Sequence, residues 1–146
     1  MIFVAFQPLQ NTRVNIPNSV TEIGMSAFED CRLFSINIPD GVKKIQAYSF
    51  RNCTNLTSVN IPKSVIEIEE RAFEGCKSLT SVNIPNSVTA IGRAAFYDCT
   101  SLTSVNIPSS VKKIGANAFE GCWKLTNVNL PKGIREIGTD AFPKTR

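Results

Sequence analysis

The five cysteines, Cys31, Cys53, Cys76, Cys99 and Cys122, are the side chains of this sequence with the greatest scope for chemistry. They stand 22, 23, 23 and 23 residues apart. Structural zinc sites need ligand pairs only a few residues apart, and the chain has no histidine to complete such a set. The same absence removes the commonest general base. If equal spacing means stacked units, equivalent Cα atoms lie about 4.8 Å apart, within the disulfide range of about 4.4–6.8 Å. Distance therefore permits bridges, but stacked side chains run parallel rather than toward one another, and an odd number leaves one thiol over. A ladder of buried thiols acting as small hydrophobes is expected.

The remaining polar groups make no catalytic constellation. Glu67, Glu69 and Glu70 cluster without a nucleophile, a base or a glycine-rich phosphate loop nearby, so they are expected on a solvated convex face with Arg71, Glu74 and Arg93. Lys43-Lys44 and Lys112-Lys113 occupy one repeat position, but Ile66-Glu67 and Thr89-Ala90 interrupt them. No basic stripe forms, and no nucleic-acid partner is expected. Asn52-Cys53-Thr54 and Asn55-Leu56-Thr57 match the glycosylation sequon, which matters only in a secreted eukaryotic protein. The 146 residues are 42% hydrophobic and 19% charged with a net charge of +4, an ordinary globular composition. The longest apolar run, Met1 to Phe6, is short of a membrane span and lacks the flanks of a signal peptide, so no membrane insertion is expected. No catalytic, cofactor-binding or metal-binding residue is assigned, and no enzyme is expected.

The elements that carry these residues follow from an internal repeat. Six of the eight prolines, Pro17, Pro39, Pro62, Pro85, Pro108 and Pro131, are spaced by 22 and then four times 23 residues. Asparagine stands two before each (Asn15, Asn37, Asn60, Asn83, Asn106 and Asn129), and seven of the nine phenylalanines, Phe6 included, share one repeat position. The short period falls in the turn after Cys31. One domain spans 1–146, with 1–10 a partial repeat or a makeshift amino-terminal lid formed by Phe3, Val4 and Phe6. Val82-Asn83-Ile84 alternates as a strand does, two side chains inward and one outward, and Pro85 ends it because proline cannot donate to a ladder. A short extended piece ends at Ile91. From Arg93 to Cys99 the pair Ala95-Phe96 predicts a tight helical turn that drops Phe96 into the core. No unit of this size buries its own apolar stripe, so successive units must stack.

The pattern L-x-x-V-x-I resembles the strand of leucine-rich repeats. Followed by P-x-x-V-x-x-I-G-x-x-A-F-x-x-C on a 23-residue period, it is similar to the BspA-like, Treponema-type class, from about Ala5 to Phe142. That resemblance implies an α/β fold: a right-handed solenoid of about six repeats, with a parallel sheet on the concave face and short strands or 3-10 turns on the convex side. It also implies a non-enzymatic surface adhesion or interaction protein of a bacterium or protist, at the cell surface or secreted, that binds proteins or glycans. An intracellular, cytoplasmic scaffold is the alternative, which unpaired cysteines favour. Gln46 and Glu69 depart from the glycine of the pattern and Ser49 from its alanine.

The asparagine row lines the middle of the expected concave sheet, beside Ser35, Ser58, Ser81 and Ser104. Asparagines at this spacing can hydrogen-bond along the stack, and invariance between coils is what such a ladder demands. Specificity is better placed at the variable edge past the proline: Asn18, Asp40, Lys63, Asn86, Ser109 and Lys132. The candidate binding residues are Ser58, Asn60, Lys63, Ser81, Asn83, Asn86, Ser104 and Asn106. Around Val128 to Leu130 no further coil follows in this sequence, so either self-association through the carboxyl-terminal coil or a place within a longer array is expected.

Overall fold

In a computed structural model, residues 2–3 and 10–144 are described. The chain winds as a β-solenoid in which each coil contributes a strand to each of two faces. On one face lie β2 (Gln10–Asn15), β4 (Arg32–Asn37), β6 (Ser58–Asn60), β8 (Ser81–Asn83), β10 (Ser104–Asn106) and β12 (Asn127–Asn129). On the other lie β1 (Ile2–Phe3), β3 (Glu22–Ile23), β5 (Lys44–Ile45), β7 (Glu67–Ile68), β9 (Ala90–Ile91), β11 (Lys113–Ile114) and β13 (Glu136–Ile137). All pairing is parallel, and apart from a bulge between Gln10 and Arg13 where β2 meets β4 it keeps register: Ser81 faces Ser104, which faces Asn127, and Asn83 faces Asn106, which faces Asn129. The ladder is interrupted once on each face, between β6 and β8 and between β3 and β5. Val4 and Phe6 of the expected lid lie outside the described residues, while the backbone of β1 pairs with β3.

Proline sets the corner of each coil. It fixes φ and removes a donor, and a tight turn follows in which the N–H of Val65, Val88 or Val111 donates to the carbonyl of Pro62, Pro85 or Pro108 at 3.1 Å. Valine, isoleucine, leucine and phenylalanine from every coil then stack into one core. Phe28, Phe50, Phe73, Phe96, Phe119 and Phe142 form a continuous stack, with centroids 5.2–5.4 Å apart and planes within 7°. Apolar burial of this kind is worth about 25 cal/mol per Å² and dominates the stability. Ser49, in place of alanine, is buried and donates its hydroxyl to the carbonyl of Gln46 at 2.8 Å.

The α/β expectation is corrected, because no helix occurs among the described residues. In the segment expected to be a helical turn, alternate amides bond in different directions. Those of Ala95, Tyr97 and Cys99 reach back three residues, at 3.1–3.3 Å, whereas those of Ala94, Phe96 and Asp98 donate to the next coil at Ala116, Ala118 and Glu120, at 2.8–2.9 Å. A helix would keep all of these donors for itself. Ala94 and Asp98 also take left-handed φ values of 54° and 59°, which no right-handed helix contains.

Candidate functional site

Strand alternation turns Val82 and Val105 inward and leaves Ser81, Asn83, Ser104 and Asn106 exposed. Ser58 and Asn60 are exposed on β6 in the same way. The turn after each proline brings Lys63 and Asn86, both exposed, to the edge of this face. Of these residues, Asn60, Asn83, Asn106, Lys63 and Asn86 line a groove of about 740 Å³, with Pro62, Pro85 and Pro108. Ser58, Ser81 and Ser104 are not among its lining residues, so the structure separates the serine row from the groove. Among the described residues, Asp40 and Lys63 are the only charged ones that line it, and no aromatic one does.

The asparagine ladder is not formed. Among the described residues, the side-chain amides of Asn37, Asn60, Asn83, Asn106 and Asn129 make no hydrogen bond to protein. The adjacent threonines do: Thr57 and Thr103 donate their hydroxyls to the carbonyls of Phe34 and Thr80 in the preceding coil, at 3.3 and 3.2 Å. The coils are thus tied together beside the asparagines and not through them. The amides of Asn60, Asn83 and Asn106, which line the groove, each keep two donors and an acceptor for it. Sequence reading overlooked Ser87, which lines the same groove with its hydroxyl buried and unpartnered. Its signal was the recurrence of serine two residues after the proline, at Ser19, Ser64, Ser87 and Ser110.

Two other clusters have structural explanations. The five cysteines are buried and form no disulfide. Cys53, Cys76, Cys99 and Cys122 donate their thiols to the carbonyls of Phe28, Phe50, Phe73 and Phe96, at 3.0–3.2 Å. Burial pushes the Cys76 thiol up to about 12, against the opposing backbone amide of Cys53, and raises Cys53 and Cys99 too. Such thiols are poor nucleophiles. Glu74, expected on a solvated face, is instead only 7% exposed. It accepts from Arg51 and, at 2.6 Å, from Arg71, while Arg51 also reaches Glu29 at 3.0 Å. Three coils are joined by this network, and a carboxylate can be buried there because both its oxygens are paired with guanidinium. Among the described residues no cluster of three or more possible ligands could hold a metal ion, and no helix is long and apolar enough to cross a membrane.

The family model for the BspA type leucine rich repeat region matches residues 3–100 and 43–146, in 6 copies. Among solved structures, the chain is similar to a leucine rich repeat protein of T. pallidum at 30% identity, with a TM-score of 0.85 over 98% of this chain and 75% of that one. A leucine-rich repeat protein of Bacteroides ovatus is 40% identical over 84% of this chain, with a TM-score of 0.70. A leucine rich cell surface protein of Faecalibacterium prausnitzii is 35% identical over 80% of this chain, with a TM-score of 0.60. This chain spans 38% of the length of each of the latter two. No curated protein matches. The repeat, the parallel coils and the buried phenylalanine and cysteine ladders thus have one common source: the chain belongs to the BspA-type leucine-rich-repeat family.

Proposed function

We propose that this chain is a non-enzymatic binding module that holds a protein or a glycan in the groove formed by the asparagine strip and its proline edge. The observation that carries this reading is the row of exposed amides without protein partners, repeated coil after coil along a groove with little charge. Single neutral hydrogen bonds contribute about 0.5–1.5 kcal/mol net, so affinity requires several coils to act together. Display at a bacterial cell surface is part of the proposal, supported by the F. prausnitzii relative, which is described as a cell surface protein. The unbridged thiols do not oppose it, since all five are buried and Cys53, Cys76, Cys99 and Cys122 are turned toward carbonyls and away from one another.

Replacing Asn60, Asn83 and Asn106 together with alanine should lower retention on immobilised matrix proteins or on a glycan array at least about tenfold, as the loss of several hydrogen bonds demands. The same change at Lys113 and Glu136, exposed on the opposite sheet and paired at 3.7 Å, should do little. Loss of binding in the second variant and not the first would place the site elsewhere.

A further inference from the structure

We propose that Arg13, Arg32 and Phe34 form a second binding surface, on β2 and β4, that takes an acidic protein segment carrying an apolar side chain between its carboxylates. This surface does not rest on the asparagine groove. Its origin is the residue missing after Cys31. In the later coils two residues separate cysteine from leucine, as in Cys53-Thr54-Asn55-Leu56, and they lie in a turn, whereas Arg32 alone separates Cys31 from Leu33. The turn is lost there, so β4 starts at Arg32 and runs for 6 residues, while β6, β8, β10 and β12 have 3 each.

Alternation along β4 buries Leu33 and leaves Arg32 and Phe34 exposed, about 6.6 Å apart along the strand. Phe34 is 43% exposed. Arg13, also exposed, stands opposite Ser35, the residue after Phe34, and the ladder bulges just before it. A bulge re-aims the side chains beside it. Across the six strands of this face, Arg13 and Arg32 are the only charged residues and Phe34 is the only aromatic one. Other coils carry Ser58, Ser81 and Ser104 in the row of Arg13, and Thr57, Thr80 and Thr103 in the row of Phe34.

The two guanidiniums stand without counter-charge. Elsewhere Lys44, Arg51, Arg71 and Lys113 are paired with carboxylates of their own or neighbouring coils, but neither Arg13 nor Arg32 has an ion-pair partner among the described residues. Asp30, two residues before Arg32, does not pair with it. Guanidinium and carboxylate make charge-assisted bonds with matched geometry, and arginine beside an exposed aromatic ring is the composition of energetically dominant interface positions. A sulfated polysaccharide would be favoured by a run of cations, yet β6, β8, β10 and β12 carry none. Two cations around one phenyl ring instead match a short acidic segment with an apolar side chain.

The test uses the whole chain and a fluorescent peptide of about twelve residues, rich in glycine and serine, with glutamate, leucine and glutamate at alternate positions, which an extended chain puts on one side. It is expected to bind at least about tenfold more tightly than the same peptide with glutamine for glutamate, and to weaken as salt is raised. Arg13→Ser, Arg32→Thr and Phe34→Thr give each position a residue that other coils carry there, so the triple variant should melt as the wild type does and lose the peptide. Phe34→Thr alone should weaken binding, while alanine at Asn60, Asn83 and Asn106 should leave it unchanged. Equal binding of the glutamine peptide, which needs no variant to measure, overturns the inference, as does an affinity unmoved by the triple substitution. Loss in the asparagine variant instead would move the site to the groove. If a heparin-derived oligosaccharide binds and is lost in the triple variant while the peptide does not bind, the surface takes anions but the acidic protein segment is refuted.

Discussion

Cys76 is held between two demands, that its sulfur fill the core and that its proton reach the Phe50 carbonyl at 3.2 Å. Both favour the neutral thiol. In an unfolded chain a thiol ionises near its ordinary value, about 8.5, while in the fold Cys76 is pushed up to about 12. Between those values the unfolded state has released the proton and the folded state has kept it, so stability must fall as pH rises, by at most about 1.4 kcal/mol per pH unit for each such thiol. Melting temperature should therefore drop from pH 8 to pH 10.5. Cys76→Ala lowers stability at neutral pH, but its decline with pH should be shallower by one thiol's share; an unchanged slope would remove Cys76 as the cause. Gly75 shows a different residue-scale demand. Its φ is +74°, and a Cβ there would meet the Asn52 Oδ1 at 2.3 Å. Gly121 stands in the same relation to Asp98, at 2.1 Å, so a large side chain in one coil is accommodated by a bare backbone in the next.

The repeating elements are the strand, the proline corner and the phenylalanine turn, and the turn makes the most specific stability prediction. Phe73 stacks on Phe50 and Phe96, each at 5.2 Å, whereas Phe142 stacks on Phe119 at 5.4 Å. Phe73→Ala opens a cavity between two coils and should cost about 3–5 kcal/mol. Phe142, half-buried, has packed rings on one side among the described residues, and its loss should cost clearly less. Urea midpoints of the two variants compare them directly, and equal shifts would contradict stacking as the source of the difference. The strand was legible in the sequence because Val82-Asn83-Ile84 alternates and Pro85 ends it. The turn was misread as helical because Ala95-Phe96 and the small residues beside it suit a helix locally. Its real bonds run to carbonyls 21 or 22 residues onward in the next coil, and no local pattern encodes them. Those bonds hold eight of the nine non-glycine residues found at positive φ among the described residues, including Tyr48, Arg71 and Ala94, where a side chain other than Asn or Asp carries about 1–2 kcal/mol of strain. The asparagine row was equally visible, but whether its amides join one another depends on their orientation across coils, and there the threonines had taken the bonding role.

For the molecule as a whole, each coil contacts chiefly its two neighbours, so stability is close to a sum over interfaces. Removing residues 80–102, one period of 23, joins Leu79 to Thr103 and restores the motif without a change of register. That shortened chain should fold cooperatively, with unchanged strand content per residue by circular dichroism and a lower melting temperature. Removing residues 80–91 takes half a coil and should abolish folding; a native-like spectrum from it would deny that the coil is the unit. The bonding in the turns also has a direction. Ser26, Phe28 and Asp30 donate forward to the carbonyls of Ala47, Ser49 and Arg51, and Phe73 and Phe96 donate forward in turn to Ala95 and Ala118. Each turn therefore offers hydrogens on one side and oxygens on the other, like a magnet with unlike poles. Two molecules brought together by a two-fold axis at such a surface would set hydrogens against hydrogens. Between the turns themselves, head-to-tail contact alone sets hydrogens against oxygens, and repeated head-to-tail contact builds an open filament rather than a closed pair.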